Sequence, residues 1–124
     1  MKNDLKIRTK KFAVEIIRFI RLLPKNDEGF ILGKQLLRSG TSVGANYRAA
    51  CKAKSTADFI NKITIVEEEA DECCYWLELI IEAEILDKKN VENLLKEANE
   101  LTAIFTAAGK TSKENKSKQQ LFNT

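Results

Sequence analysis

The chain contains no histidine. That absence excludes Ser-His-Asp and Cys-His hydrolases, histidine-bearing zinc sites and di-iron bundles built on Glu-x-x-His. One proline and five glycines give too little punctuation for a small, turn-rich β domain and favour long helices. No stretch approaches 18 consecutive apolar residues, so no membrane-spanning helix is expected. The opening MKNDLKIRTKK has neither an apolar core nor a small-residue cleavage site behind it, unlike a secretory signal, and a cytoplasmic location is the expectation. Cysteine is scarce and odd in number, with three residues, of which Cys73 and Cys74 are adjacent. Neighbours on one helix diverge by about 100° and do not readily bridge, so all three read as reduced packing residues.

What is present is globular. A chain of 124 residues supplies one domain, and 44% hydrophobic with 31% charged residues is not the composition of a disordered segment. The net charge of +3 conceals a segregation. Residues 1–62 carry 14 Lys/Arg against 5 Asp/Glu, residues 63–109 carry 3 against 12, and residues 110–124 carry 4 against 1. Such asymmetry points to self-complementary assembly or to a polyanionic partner.

Four segments have helical periodicity. The first spans about Asp4 to Leu23, with Leu5, Phe12, Ile16, Phe19, Ile20 and Leu23 on one side, and Pro24 stops it. The second spans about Glu28 to Ala53. Leu36, Leu37, Gly40, Val43, Gly44, Tyr47 and Cys51 share its apolar face, with Gly40 and Gly44 predicting close approach to a neighbouring helix or a bend near Ser39 to Val43. The third runs from a capping box at Ser55-Thr56-Ala57-Asp58 to about Glu84. Phe59, Ile63, Val66, Ala70, Cys73, Leu77 and Ile80 form its seam, and Ile60, Cys74, Trp76 and Ile81 form a second strip that calls for a second partner. The fourth spans about Lys88 to Ala108, capped by Asp87 and ended by Gly109. The expectation is an all-α, antiparallel up-down-up-down four-helix bundle over residues 1–109, followed by a polar, Lys-rich flexible tail over 110–124.

The acidic run Glu68-Glu69-Ala70-Asp71-Glu72 and the later Glu84-Ile85-Leu86-Asp87 resemble the carboxylate pairs that hold Mg²⁺ in all-α nucleotide pyrophosphatases. Both lie on one predicted helix, with Glu72 and Glu84 about 18 Å apart along its axis. A solvated acidic face is therefore the better reading, and no catalytic set, metal or cofactor is expected. The basic residues align better. Projected at about 100° per residue from Lys34, the side chains of Lys34, Arg38, Arg48 and Lys52 fall at about 0°, 40°, 320° and 0°, provided the helix is continuous through both glycines. Arg18 and Arg21 close the first helix nearby. Guanidinium forks on such a stripe suit the phosphates of RNA or DNA, while a solvated face or pairing with the acidic helix of another subunit is the alternative. No aromatic residue is read as interleaving with the stripe, so base stacking is not expected. Tyr75 and Trp76 are candidate oligomer contacts.

The run Gln35-Leu36-Leu37-Arg38-Ser39-Gly40-Thr41-Ser42-Val43-Gly44-Ala45-Asn46 resembles the second-helix signature of the four-helix bundle proteins of the 23S rRNA intervening-sequence family. So do Lys54-Ser55, Asp58-Phe59-Ile60, Lys62, Glu69-Ala70 and Tyr75-Trp76-Leu77-Glu78-Leu79. The similarity covers roughly residues 5–108. It implies a bundle, no enzymatic activity and no small-molecule substrate. Related accessory proteins of diversity-generating retroelements imply a homo-oligomer, a ring-like pentamer, with a basic surface that associates with nucleic acid. Many members continue Ile-Ala-Glu after the asparagine, where this chain reads Tyr47-Arg48-Ala49-Ala50. Arg48 in this departure extends the basic stripe. A structural, protein-interaction module without nucleic acid is the second functional expectation.

Overall fold

A computed structural model describes residues 2–122. Among these there are four α-helices and no β-strand: α1 (Lys2–Ile20), α2 (Asp27–Ala50), α3 (Thr56–Glu82) and α4 (Glu92–Phe122). The protein is all-α, and its links are too short for anything but antiparallel neighbours. Gly40 lies against Ile16 and Gly44 against Thr9, so α2 descends as α1 ascends. Cys74 meets Thr102 and Ile63 meets Gly109, which sets α4 antiparallel to α3 in the same way. α2 packs extensively on α1 and α3, and α3 on α4, whereas α1 and α4 touch sparsely. No described helix is long and apolar enough to cross a membrane.

Each helix contributes one apolar row to a shared core. Phe12, Ile16, Phe19 and Leu23 come from the first segment, Leu36, Val43, Tyr47 and Ala50 from α2. Ile63, Val66, Ala70, Cys73, Leu77 and Ile80 come from α3, and Val91, Leu94, Ala98, Leu101 and Phe105 from the fourth segment. Of the predicted α3 seam only Phe59 is half-exposed. Most of the second α3 strip packs inside the bundle, since Cys74 is buried and Trp76 and Ile81 pack on the same core, while Ile60 is half-exposed and outside that core. The three cysteines are free thiols, and burial pushes Cys73 up to about 12.

The polar run of α2 is compatible with a tightly packed helix because its side chains bond back to their own backbone. Ser39 donates to the Gln35 carbonyl at 3.1 Å, Thr41 to Leu37 at 2.7 Å, Ser42 to Arg38 at 2.7 Å and Asn46 to Ser42 at 2.9 Å. Each hydroxyl proton is thereby satisfied within the helix, and the buried Ser39 Oγ also accepts from Cys73 Sγ of α3 at 3.3 Å. The helix is unbroken through Gly40 and Gly44, so the glycines serve close approach. A Cβ on Gly40 would stand 2.7 Å from Ile16 Cγ1.

Several helix ends differ from expectation. Residues 21–23 leave α1 in tightened turns, with Leu23 donating to the Ile20 carbonyl, which buries Leu23 ahead of Pro24. α2 opens on Asn26, whose side chain accepts from Gly29 N–H at 3.0 Å, and it stops at Ala50 rather than Ala53. The Ser55 cap is as expected, accepting from Asp58 N–H at 3.1 Å. α3 ends at Glu82, short of Glu84, because Glu84 adopts a left-handed φ of 57°. Its N–H bonds the Ile81 carbonyl and Ile85 N–H bonds Ile80, a Schellman closure with glutamate in the position glycine usually takes. Asp87 heads only a short 3-10 turn (Lys88–Asn90), without a side-chain cap bond, and α4 starts at Glu92.

The largest correction is at Gly109, which does not end α4. No described glycine has positive φ; Gly109 is buried within the helix, its Cα facing Ile63, and the helix continues to Phe122. Residues 110–122 are therefore a polar extension of α4.

The thin α1–α4 seam is closed by charge. Arg8 Nε donates to Glu97 Oε2 at 2.8 Å and Nη2 to Oε1 at 2.7 Å, with Glu100 3.3 Å away. The bonded guanidinium holds the Glu97 carboxyl below its usual range.

Two tests address these features. A methyl group at residue 109 would meet only Ile63 Cγ2 at 3.6 Å. Gly109→Ala should therefore raise stability in urea by about 0.5–1 kcal/mol by lowering chain entropy. A loss instead would restore a helix end at that residue. Glu84→Gly should also stabilise, by about 1 kcal/mol, by relieving the left-handed residue. Glu97 is depressed in the folded state, so its contribution is complete above the ordinary carboxylate pKa of about 4.3 and is lost as pH falls through the lower folded value. Arg8→Met should flatten the acid limb of the stability–pH curve below about pH 5, measured by thermal melts; an unchanged limb would remove Arg8 as its cause.

Candidate nucleic-acid interface

Because Gly33, Gly40 and Gly44 let α2 settle onto α1, the outer seam of this pair is a shallow trough rather than a ridge. It opens into two grooves. The first, of about 450 Å³, has Ala13, Gly44 and Ala45 in its floor and Lys6, Lys10 and Arg48 around it. The second, of about 320 Å³, lies toward the α1–α2 connection, with Gly29, Gly33 and Leu37 lining it alongside Arg21, Lys25, Lys34 and Phe30. All six cations are exposed, and among the described residues none makes an ion pair. No carboxylate lines either groove.

The α2 stripe expected from the sequence is divided between two neighbours. Arg48 and Lys34 sit on the side that meets α1, and each joins a groove. Arg38, about 80° further round from Arg48, turns to α3. Its guanidinium donates to Glu69 at 3.1 Å and to Glu72, and this pairing raises its pKa further. Glu72 also accepts from Trp76 Nε1 at 3.3 Å. Two carboxylates of the Glu-Glu-x-x-Glu run thus hold an arginine of their own chain. Lys52 is exposed and falls in the connection after α2, beyond the end of the helix that was projected. Arg21 joins the second groove, while Arg18 is exposed and lines neither.

Sequence reasoning did not single out Lys6 and Lys10, although their i,i+4 spacing on α1 was legible. It also missed Phe30. That residue is four positions before Lys34, hence about 320° on the same projection, and belongs to the stripe. At 59% exposure it stands in the second groove among three cations, which corrects the expectation of a stripe without aromatics.

The opposite flank is acidic. Glu68, Asp71, Glu78 and Glu82 are exposed on α3 around Tyr75, which is 55% exposed, and they form no ion pair among the described residues. Trp76 is half-buried and meets Tyr75 edge-on at 5.1 Å. Among the described residues no cluster of metal-ligating side chains occurs.

Similarity to known proteins agrees with the signature in α2. No curated protein matches the chain in sequence. A crystal structure of a protein of unknown function from the S23 ribosomal protein family of Bacteroides thetaiotaomicron is 40% identical, with a TM-score of 0.81. The match covers 89% of this chain and 99% of that one. The family model described as 23S rRNA-intervening sequence protein matches residues 1–107. The chain belongs to the 23S rRNA-intervening sequence protein family.

Proposed function

We propose that this chain is a non-enzymatic, cytoplasmic, homo-oligomeric protein that holds RNA or DNA by its phosphates along the outer face of α1 and α2. The observation that carries this reading is the set of unpaired cations from two helices around one trough: Lys6, Lys10 and Arg48 at one groove, Arg21, Lys25 and Lys34 at the other. Cations left without carboxylate partners release their own counterions and those of phosphate on contact, which favours a polyanion. The rRNA in the family's description and the ribosomal designation of the B. thetaiotaomicron protein support the same partner class. Arg38 has a smaller share in this reading, since a phosphate would have to displace Glu69 and Glu72. Assembly, with five subunits by resemblance, would use the exposed Tyr75 face of α3, with Trp76 supporting it from beneath.

A second reading rests on the acidic α3 flank: basic trough and acidic ridge pair between subunits, and no nucleic acid is involved. Charge reversal separates the two. Lys6→Glu, Lys10→Glu and Arg48→Glu together should abolish retention of nucleic acid and leave the mass by light scattering unchanged. Under the second reading the same variant dissociates. The neutral triple Lys6→Gln, Lys10→Gln, Arg48→Gln should lower the slope of log K against log salt by about 2–3, while Arg38→Gln changes it little. Wild-type binding that is absent at low salt, or independent of salt, would sink the nucleic-acid reading.

A further inference from the structure

The two grooves of the trough are not chemically alike. The first is lined by alanine, glycine, Ile7 and Thr41 with three cations, and holds no aromatic ring. The second adds an aromatic ring. Phe30 stands in the first turn of α2, held there by the Asn26 cap on Gly29, and leaves 59% of its surface in water. Ile7, Leu22 and Ile31 are at least as exposed, so exposure alone does not mark Phe30; what sets it apart is an aromatic ring lining the same groove as three cations. The apolar surface around it is small and flat. Gly29 and Gly33 carry no side chain: a Cβ on Gly29 would be 1.9 Å from the Pro24 carbonyl oxygen and has no room, and one on Gly33 would meet Leu23 Cδ1 tightly at 3.3 Å. Ile20 and Leu37 complete an apolar floor, and Arg21, Lys25 and Lys34 rim it. A volume of about 320 Å³ is at the lower end of the range for clefts that take small planar groups.

An exposed ring over a flat apolar floor, rimmed by cations and lined by no carboxylate, matches the chemistry of one nucleotide: a planar base with a π-face, tied to a phosphate. A duplex keeps its bases stacked on one another and offers this groove only phosphate. A single strand, loop or bulge can turn a base out onto the ring. We infer that the second groove is a single-strand-selective subsite in which Phe30 stacks on an unpaired base while Arg21, Lys25 and Lys34 hold the adjoining phosphates. This deepens the reading above and rests on it: the first groove contributes charge, and the second contributes preference for unpaired nucleic acid.

The test compares full-length wild type with Phe30→Leu and Phe30→Trp. Three probes of matched length are used: a mixed-sequence RNA single strand, its duplex, and inorganic polyphosphate. Stacking is sequence-tolerant and not electrostatic. Phe30→Leu should therefore weaken the single strand by about 5- to 100-fold, leave duplex and polyphosphate within about twofold, and leave the salt slope unchanged. Phe30→Trp should restore single-strand affinity. Equal affinity of wild type and Phe30→Leu for the single strand overturns the subsite and leaves the phosphate-binding reading standing. Equal losses on all three probes, or a fall in solution mass by light scattering, would reassign Phe30 to folding or subunit contact and also overturn it. If wild type bound none of the three at low salt, the function itself would fall, and the subsite with it.

Discussion

The close approach of α1 and α2 at Gly40 and Ile16 is the contact on which the rest of the surface depends. A methyl group at residue 40 would have to occupy the space of the isoleucine side chain. Close-packed interiors do not absorb such an overlap without moving a helix. Glycine lowers helix propensity by about 1 kcal/mol, a loss offset here by burial of Ile16, Leu36 and Val43 at zero exposure. The neighbouring serines and threonine are small and each donates within its own helix, while Ser39 also accepts from Cys73 of α3. The polar, glycine-punctuated signature of α2 is thus first a packing device.

Its consequence for function is geometric. With two helices this close, cations at the outer edges of both converge on one trough. Lys6 and Lys10 are near in sequence to each other but remote from Arg48, and Arg21 and Lys25 are likewise brought to Lys34. On the other side of α2 the same helix delivers Arg38 to the carboxylates of α3, where it closes the α2–α3 seam and offers less to a ligand. An exposed ion pair of this kind stabilises a fold only modestly, since solvent screens it. Its main effect is to divide a uniform stripe into a structural edge and an available one.

The acidic surface follows the same logic of division. Glu69 and Glu72 face inward along the surface to Arg38, while Glu68, Asp71, Glu78 and Glu82 are left facing solvent around Tyr75. Like charges three and four residues apart repel along a helix. The ridge therefore adds little to α3 by itself, and its charge repels anions from that side of the molecule. The opposing characters of the two flanks give the molecule an electrostatic direction.

The sequence by itself determined that the protein is helical and where its four apolar rows run. These are properties of period and volume, written residue by residue. The Ser55 cap and the segregation of charge were equally legible. The sequence left the α2 glycines as a close approach or a bend, and the unbroken helix against Ile16 decides for close approach. Helix ends were harder, because they depend on backbone conformation. Gly109 is consistent with a left-handed terminator or with a helical residue against Ile63, and only the position of α3 chooses between them. Glu84 takes the left-handed conformation that composition would assign to glycine, because the closing bonds to Ile80 and Ile81 hold it there. The candidate site was legible as cations but not as a site. One helical projection places Arg38, Lys34 and Arg48 on one stripe. Which of them meets a carboxylate and which a groove is decided by the neighbour each faces, and that is a property of how the helices pack together.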